Sequence, residues 1–142
     1  LTKVLVKNFW KIDVSFESTS EGYIDSISGY RAGVVIGDRA FDLNGTFPYQ
    51  YDLSEEWFKF TGLPFVFACW VANKALSTEF VSSFNMAIEQ GLKNKALAIN
   101  SWVEKENSAI DLKSYLNKDI SYEFDERKKM ALEKFLLFCS NL

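Results

Sequence analysis

The apolar run at residues 63–71 constrains the fold of this chain more than any other stretch of its sequence. Its only polar side chain is the thiol of Cys69. A β-strand that is apolar on both faces belongs in the middle of a sheet covered by helices, which is the arrangement of parallel α/β proteins. The run therefore predicts an α/β fold class with a buried central strand and places Cys69 in the core.

A short helix with clear boundaries precedes this run. Asp52 is a typical N-cap residue, and Glu55, three residues later, is placed to reach back toward the freed amide as in a capping box. Gly62 suits the left-handed residue that follows a helix, and Pro64 prevents the helix from resuming. The sequence therefore predicts a capped helix, a sharp stop, and then the strand.

Hydrophobic periodicity and capping residues predict the remaining elements. The predicted helices cover residues 2–10, 23–27, 76–92, 96–105, 111–116 and 125–139. The helix at 76–92 is expected to begin at Ser77 or Thr78 and to close at Gly91, while Asp111 and Asp125 cap the last two helices. Shorter strands are predicted at residues 12–16 and 32–36.

Composition excludes several classes of function. The 142 residues are 48% hydrophobic, which is enough for one domain with a core. A net charge of −3 gives no basic field, which argues against nucleic acid as a partner. No apolar stretch is long enough to cross a membrane. Two widely separated cysteines favour reduced thiols and a cytoplasmic location.

The chain contains no histidine. This removes the imidazole general base, the Ser-His and Cys-His pairs, and the commonest metal ligand. The sequence also lacks a phosphate-binding lysine motif, a dinucleotide-binding glycine triplet and a metal-ligand cluster. Neither a metal nor a cofactor is therefore predicted, and proton transfer would depend on carboxylates, Lys, Tyr, bound water or the substrate itself.

The first candidate site is the turn at Gly37 and Asp38, which follows the predicted strand at 32–36. Ligands of α/β proteins bind at the carboxyl ends of strands, and Gly37 would let a substrate carboxylate approach the backbone closely. Arg39 is the one cation next to this turn. The alternative interpretation is a plain strand-to-helix turn, with Asp38 as a helix cap and Arg39 on the surface.

The second candidate site is the turn at residues 61–65, where the predicted helix ends and the apolar run begins. It consists of Thr61, Gly62, Leu63, Pro64 and Phe65. Leu63 and Phe65 could form an apolar wall against a six-membered ring. A helix stop followed by a core strand explains the same residues without any ligand. The carboxylates Glu17, Asp52, Glu55 and Glu56 could be assembled into a carboxylate pair, but we interpret them as solvated helix and turn positions. The aromatic residues at 57, 58 and 60 are interpreted as packing rather than as a stacking platform.

Three stretches resemble the chorismate dehydratases of the futalosine-dependent menaquinone pathway. The letters DLSEEWFKFTGLPFVFACW at residues 52–70 are similar to a family block of the form DLxEEWxxxTGLPFVFAxW. Residues 34–40 resemble the family's hydrophobic strand followed by a Gly-Asp turn, and residues 116–122 resemble its closing YLxxxIxY segment. Together these stretches follow the family's order over most of the chain.

The resemblance implies a two-lobed, periplasmic-binding-protein-like (type II) fold. Residues 1–64 would form the second lobe, and residues 65–142 the crossover strand and the C-terminal helices that return to the first lobe. The strands that open the first lobe are expected in an N-terminal half that this sequence lacks. Large exposed apolar surface, and self-association through it, are therefore expected.

The implied activity is that of a carbon–oxygen lyase, specifically a hydro-lyase. It would convert chorismate, a small dicarboxylate, into 3-[(1-carboxyvinyl)oxy]benzoate and water, without a cofactor. Gly37, Asp38 and the turn at 61–65 are the implied substrate contacts, and no catalytic residue is assigned. The fragment alone is expected to be inactive. Two alternatives remain, namely a non-catalytic solute-binding module of the same fold and the related naphthoate synthase of the same pathway.

Overall fold

The computed structural model describes residues 1–37, 39–103 and 111–142, and these residues are rich in helix. The first helix, α1, is an α-helical turn at Thr2–Leu5 that continues as a π-helix at Val6–Trp10. A 3₁₀ turn at Tyr23–Ser26 follows. The remaining helices are α2 (Arg39–Asp42), α3 (Leu53–Thr61), α4 (Thr78–Lys93), α5 (Lys95–Val103), α6 (Leu112–Ser114, continuing as a π-helix at Tyr115–Asp119) and α7 (Glu126–Cys139).

Helix starts are fixed by the predicted N-cap residues. The side-chain oxygens of Asp52, Ser77, Asp111 and Asp125 each accept a hydrogen bond from an amide of the first turn that would otherwise lack a partner. The donor amides belong to Ser54 (2.8 Å), Phe80 (3.2 Å), Ser114 (3.0 Å) and Lys128 (2.9 Å). The predictions of these caps are confirmed, with Ser77 rather than Thr78 at the start of α4.

The ends of two helices show where local sequence signals hold and where they fail. Gly62 ends α3 in the left-handed conformation, with φ 71°, as predicted. Gly91 does not close α4, because the helix continues through it to Lys93 and stops at Asn94. One glycine inside a helix costs only about 1 kcal/mol relative to alanine, so a helix with favourable neighbours absorbs it.

None of the predicted strands forms within the described residues. Residues 12–16, 32–36 and 63–71 have no regular secondary structure, and no backbone hydrogen bond joins any two of these segments. A strand exists only as a partner in a hydrogen-bonded ladder, and these segments do not supply one to each other. The helices of the predicted α/β fold are thus observed. Its strands are not observed in the described residues.

The chain divides into two compact units. Unit 1 comprises residues 1–67 and 124–142, and unit 2 comprises residues 68–123. Fully or almost fully buried apolar side chains of unit 1 come from α1, α3 and α7, namely Val4, Leu5, Val6, Trp57 and Ala131. In unit 2, Ile99 on α5 is the one described apolar side chain in that class.

Cys69 is exposed, so its predicted place in the core is wrong. Within the part of the chain that the structure describes, residues 63–71 have no strand partner that would bury this side chain in a sheet. Both cysteines are free thiols, and Cys139 on α7 is half-buried. The expected exposed apolar surface is confirmed by large side chains such as Phe67, Trp70 and Val71, which are 76%, 80% and 86% exposed.

Candidate functional site

The turn at residues 61–65 is held by hydrogen bonds that begin at Thr61. The Thr61 hydroxyl donates to the carbonyl of Trp57 (2.8 Å) and accepts from the amide of Leu63 (3.1 Å). The amide of Gly62 donates to the carbonyl of Phe58 (2.8 Å) and closes the last turn of α3. These bonds fix the backbone between the helix and the apolar run.

Two more distant side chains bind the carbonyl oxygens of the same turn. The indole Nε1 of Trp57 donates to the carbonyl of Pro64 (3.2 Å). Arg127 Nη2, from the first turn of α7, donates to the carbonyl of Gly62 (2.9 Å). The turn is therefore attached both to its own helix and to the C-terminal helix, and much of its backbone hydrogen-bonding capacity is already used.

Aromatic packing orients Phe65 toward the interior of unit 1. The fully buried ring of Trp57 meets the rings of Phe65, Phe135 and Phe138 edge-on, at centroid distances of 5.7, 5.8 and 6.1 Å. Phe65 itself lies 5.1 Å from Phe135. Such edge-to-face pairs add about 0.5–1.5 kcal/mol each beyond area burial. Leu63 is half-buried and Gly62 is exposed, so the outer face of the turn is formed by these residues.

Gly37 presents an open backbone. Its φ of 78° lies in the left-handed region that favours glycine. Apart from its chain neighbours, no heavy atom of the described residues lies within 4 Å of the place where a Cβ would stand. Its carbonyl accepts a hydrogen bond from the amide of Ala40 (2.9 Å), which leads into α2. Arg39, at the start of α2, is exposed, and Asp38 lies outside the described residues.

The described structure does not bring the two candidate sites into direct contact. No hydrogen bond or ring contact joins Gly37 to the turn at residues 61–65. Both segments nevertheless belong to unit 1. The turn contributes a rigid, partly apolar surface, whereas Gly37 contributes unhindered access to the backbone.

Glu56 is buried, with an exposure of 6%, which corrects the prediction of a solvated carboxylate. Its carboxylate accepts hydrogen bonds from Lys59 Nζ (2.6 Å) and from Trp10 Nε1 (2.9 Å). The bond from Lys59, followed by that from Trp10, lowers the pKa of the Glu56 carboxyl and outweighs the opposing effect of desolvation. The spacing of three residues to Lys59 was a usable signal, whereas nothing local indicates the bond from Trp10.

Neither metal binding nor membrane insertion finds a structural basis in the described part of the chain. No group of three or more Cys, Asp and Glu side chains there is arranged to hold a metal ion. The helices of the described residues also fall short of the length and apolar character that crossing a bilayer requires.

Comparison with known proteins connects the chain to menaquinone biosynthesis. A family model described as menaquinone biosynthesis matches residues 1–141. Over 113 residues the chain is 32% identical to the chorismate dehydratase of Campylobacter jejuni subsp. jejuni serotype O:23/36 (strain 81-176). The match covers 77% of this chain and 49% of that protein, so the chain spans about half the length of this relative. No solved structure is significantly similar.

Proposed function

The chain belongs to the menaquinone biosynthesis family, and from this membership we propose that it forms part of a chorismate dehydratase. The observation that carries the proposal is the match over residues 1–141 together with the name of the curated relative. Because the chain spans about half of that relative, the proposed activity belongs to a protein that contains this chain together with the rest of the family's length.

The proposed reaction removes water from chorismate. A ring proton passes to an acceptor, the electron pair of the broken C–H bond forms the new ring double bond, and the C–O bond to the neighbouring hydroxyl group breaks. The acceptor's proton and the departing hydroxyl form water, and the six-membered ring becomes aromatic in 3-[(1-carboxyvinyl)oxy]benzoate. Much of the driving force therefore lies in the product. The protein needs to bind the two carboxylates, align the bonds that break, and exclude bulk water. These tasks require positioned backbone and side-chain donors rather than a strong base.

We assign the substrate contacts to Gly37 and Asp38 and to the turn formed by Thr61, Gly62, Leu63, Pro64 and Phe65. The open space at Gly37 supports this assignment, since a carboxylate can approach the backbone there without meeting a side chain. The anchored turn supports it because its hydrogen bonds hold Leu63 in place as an apolar wall. Arg39 is a further candidate partner for a carboxylate.

The proton acceptor is not assigned to a residue of this chain. The chain has no histidine, and both hydrogen bonds to the buried Glu56 carboxylate come from neighbouring protein donors. Glu56 is therefore given a structural role. A carboxylate of the substrate itself is our proposed acceptor, because it is already part of the bound molecule and requires no additional group.

A two-lobed, periplasmic-binding-protein-like fold fits this chemistry and forms part of the proposal. Residues 1–64 would belong to one lobe, and residues 65–142 would cross to the other, with α7 at their end returning against α3 as it packs in unit 1. Closure of two lobes around a small dicarboxylate would bind the substrate, align its reacting bonds and exclude bulk water from the site in one motion.

Turnover of chorismate tests the proposal. The chain is assayed alone and after co-expression with the half of the chorismate dehydratase relative that lies outside the match. We expect aromatic product, detected by liquid chromatography and mass spectrometry, from the co-expressed sample. Binding of chorismate without product would favour a solute-binding module. Absence of both binding and product would contradict the proposal.

Substitution of Gly37 tests the proposed substrate contact. Gly37→Ala places a methyl group in the open space, and we expect KM for chorismate to rise about tenfold, which corresponds to about 1.4 kcal/mol of binding free energy. Gly45→Ala is the matched control, because Gly45 has φ 77° and equally open surroundings. The two substitutions carry the same backbone strain, so equal KM values in both variants would remove Gly37 from the site.

A further inference from the structure

Arg127 places a positive charge beside the turn at residues 61–65. This exposed side chain donates from Nη2 to the carbonyl of Gly62 at 2.9 Å. The same peptide unit is held at its other end, where the Leu63 amide donates to the Thr61 hydroxyl (3.1 Å). The guanidinium is therefore anchored to a peptide whose rotation would break two hydrogen bonds.

Most donors of this guanidinium have no partner within the part of the chain that the structure describes. An arginine carries five N–H groups, and the bond to the turn is the one hydrogen bond that Arg127 donates there. Among the same residues it makes no ion pair. The carboxylates next to it in sequence have other partners. Asp125 accepts from the Lys128 amide (2.9 Å). Glu126 pairs with Lys129 (2.5 Å).

The position of Arg127 on its helix favours the binding of an anion. Arg127 is the second residue of α7, and the first turn of a helix presents the positive end of the amide dipoles. A cation is disfavoured there, and an anion bound to it would offset this cost. The planar guanidinium matches a carboxylate with two parallel hydrogen bonds. A carboxylate is therefore the ligand class that this side chain suits best.

We propose that Arg127 binds one of the two carboxylates of the substrate. The inference rests on the proposed function and adds to that site a substrate-binding residue from the C-terminal helix. Arg39 beside Gly37 is the candidate partner for one carboxylate, and Arg127 beside the turn takes the other. A site that offers a cation to each carboxylate discriminates against ligands that lack one of them, because a buried charge would then remain unpaired.

Kinetics of an arginine variant test the contact. The chain is co-expressed with the half of the chorismate dehydratase relative that lies outside the match, and turnover is measured. Arg127→Met removes the charge and keeps a long apolar stem, so we expect KM for chorismate to rise at least about tenfold while kcat stays within about threefold. Arg31→Met is the matched control and should keep the wild-type KM, because Arg31 is an exposed arginine of unit 1 that pairs with Glu17 (3.7 Å).

Two inhibitors with a single carboxylate separate substrate binding from positioning of the turn. The first, 3-(vinyloxy)benzoate, lacks the side-chain carboxylate of the product, and the second, 2-phenoxyacrylate, lacks the ring carboxylate. We expect Arg127→Met to weaken inhibition by one of them at least about tenfold and to leave the other unchanged. If Arg127 only held the turn, both inhibitors would weaken equally. Arg127→Gln, which keeps a donor for the Gly62 carbonyl, repeats the comparison if circular dichroism shows that the methionine variant is unfolded.

A raised KM together with weaker inhibition by one of the two inhibitors supports the inference. A wild-type KM for the Arg127 variants in an active sample overturns it and leaves the proposed function intact. Equal weakening of both inhibitors also overturns it and assigns Arg127 to positioning of the turn. If the wild-type sample neither binds nor converts chorismate, the proposed function is contradicted and this inference falls with it.

Discussion

Glu56 combines burial with a negative charge, which an apolar environment normally disfavours. Donors from Lys59 and Trp10 compensate by lowering the pKa of its carboxyl. A carboxyl whose pKa is lower in the folded state stabilises the fold above its unfolded pKa, about 4.3, and this contribution disappears as the pH falls through the folded value. Glu56 should therefore make unit 1 sensitive to acid below about pH 4.3.

Replacement of Glu56 tests this pH dependence. We expect Glu56→Gln to destabilise unit 1 at pH 7 by about 1–3 kcal/mol, because a buried charge-assisted hydrogen bond is lost. The same variant should show a flatter decrease in stability between pH 5 and pH 3, measured by urea unfolding at each pH. Glu55→Gln, an exposed carboxylate on the same helix, is the control and should follow the wild-type pH profile. Identical profiles for both variants would contradict the role given to Glu56.

Residue-level features could be predicted from the sequence where their causes are local. The caps at Asp52, Ser77 and Asp125 lie within three residues of the amides that they bind, so residue type and spacing suffice. The bond from Trp10 to Glu56 joins residues 46 positions apart, and no local pattern indicates it. The burial of Glu56 depends on that long-range contact, which explains why the sequence suggested a solvated carboxylate.

At the scale of elements, α3 is the structural centre of unit 1. Its Trp57 is 0% exposed and contacts aromatic rings on its own helix, on the following turn and on α7. Its indole also donates to the Pro64 carbonyl. One side chain therefore connects the packing of α3 and α7 to the shape of the turn at residues 61–65.

Truncation of Trp57 tests this central role. We expect Trp57→Ala to lower the free energy of unfolding of unit 1 by about 3–5 kcal/mol, because it leaves a cavity and an unpaired carbonyl. Phe58→Ala changes the next residue of the same helix, whose side chain is 54% exposed, and should shift stability by less than about 0.5 kcal/mol. Chemical denaturation followed by far-UV circular dichroism measures both. Similar losses in the two variants would show that the cluster around Trp57 is not central.

The helices could be predicted well because a helix completes its hydrogen bonds within one segment. The strands could not, because a strand depends on a neighbour elsewhere. The apolar run at residues 63–71 predicted a buried central strand, but the described structure shows no strand there and exposes residues 67–71. An apolar pattern favours pairing or burial and does not say where the partner lies. The segments at 12–16 and 32–36 have the same limitation.

For the whole molecule, the two units differ in how much they bury. Described side chains that are almost fully buried come from three helices in unit 1, whereas Ile99 alone represents that class among the described residues of unit 2. Buried apolar area is the main source of stability, so regions with little of it open more readily. Unit 2 should therefore unfold more readily than unit 1.

Hydrogen exchange measures this difference. We expect amides of α4 and α5 to exchange at least about tenfold faster than amides of α3 and α7 under native conditions. Ile99→Ala should accelerate exchange in α5 further, by removing about 2–4 kcal/mol of local stability, and should leave α3 unchanged. Met86→Ala is the control within unit 2, since that side chain is 60% exposed. Uniform exchange across both units would contradict the expectation.

The family could be identified from the sequence because its block at residues 52–70 is contiguous, whereas the site is harder to define. Gly37 and the turn at residues 61–65 lie on separate segments of unit 1 without direct contact. Substrate contacts arise from groups that converge in space, and the chain covers about half of its relative. The assignment of Gly37 and the turn therefore stays a prediction that the chorismate measurements decide.

The distribution of the four tryptophans gives the protein a built-in optical report. The indole of Trp57 is shielded from water, whereas those of Trp70 and Trp102 are 80% and 49% exposed. A shielded indole emits at shorter wavelength and resists quenching by acrylamide, so Trp57 should contribute a blue, protected component and Trp70 and Trp102 a red, quenchable one. The half-buried Trp10 should lie between them. A decrease in the quenchable component would therefore report a change in the exposure of Trp70 or Trp102.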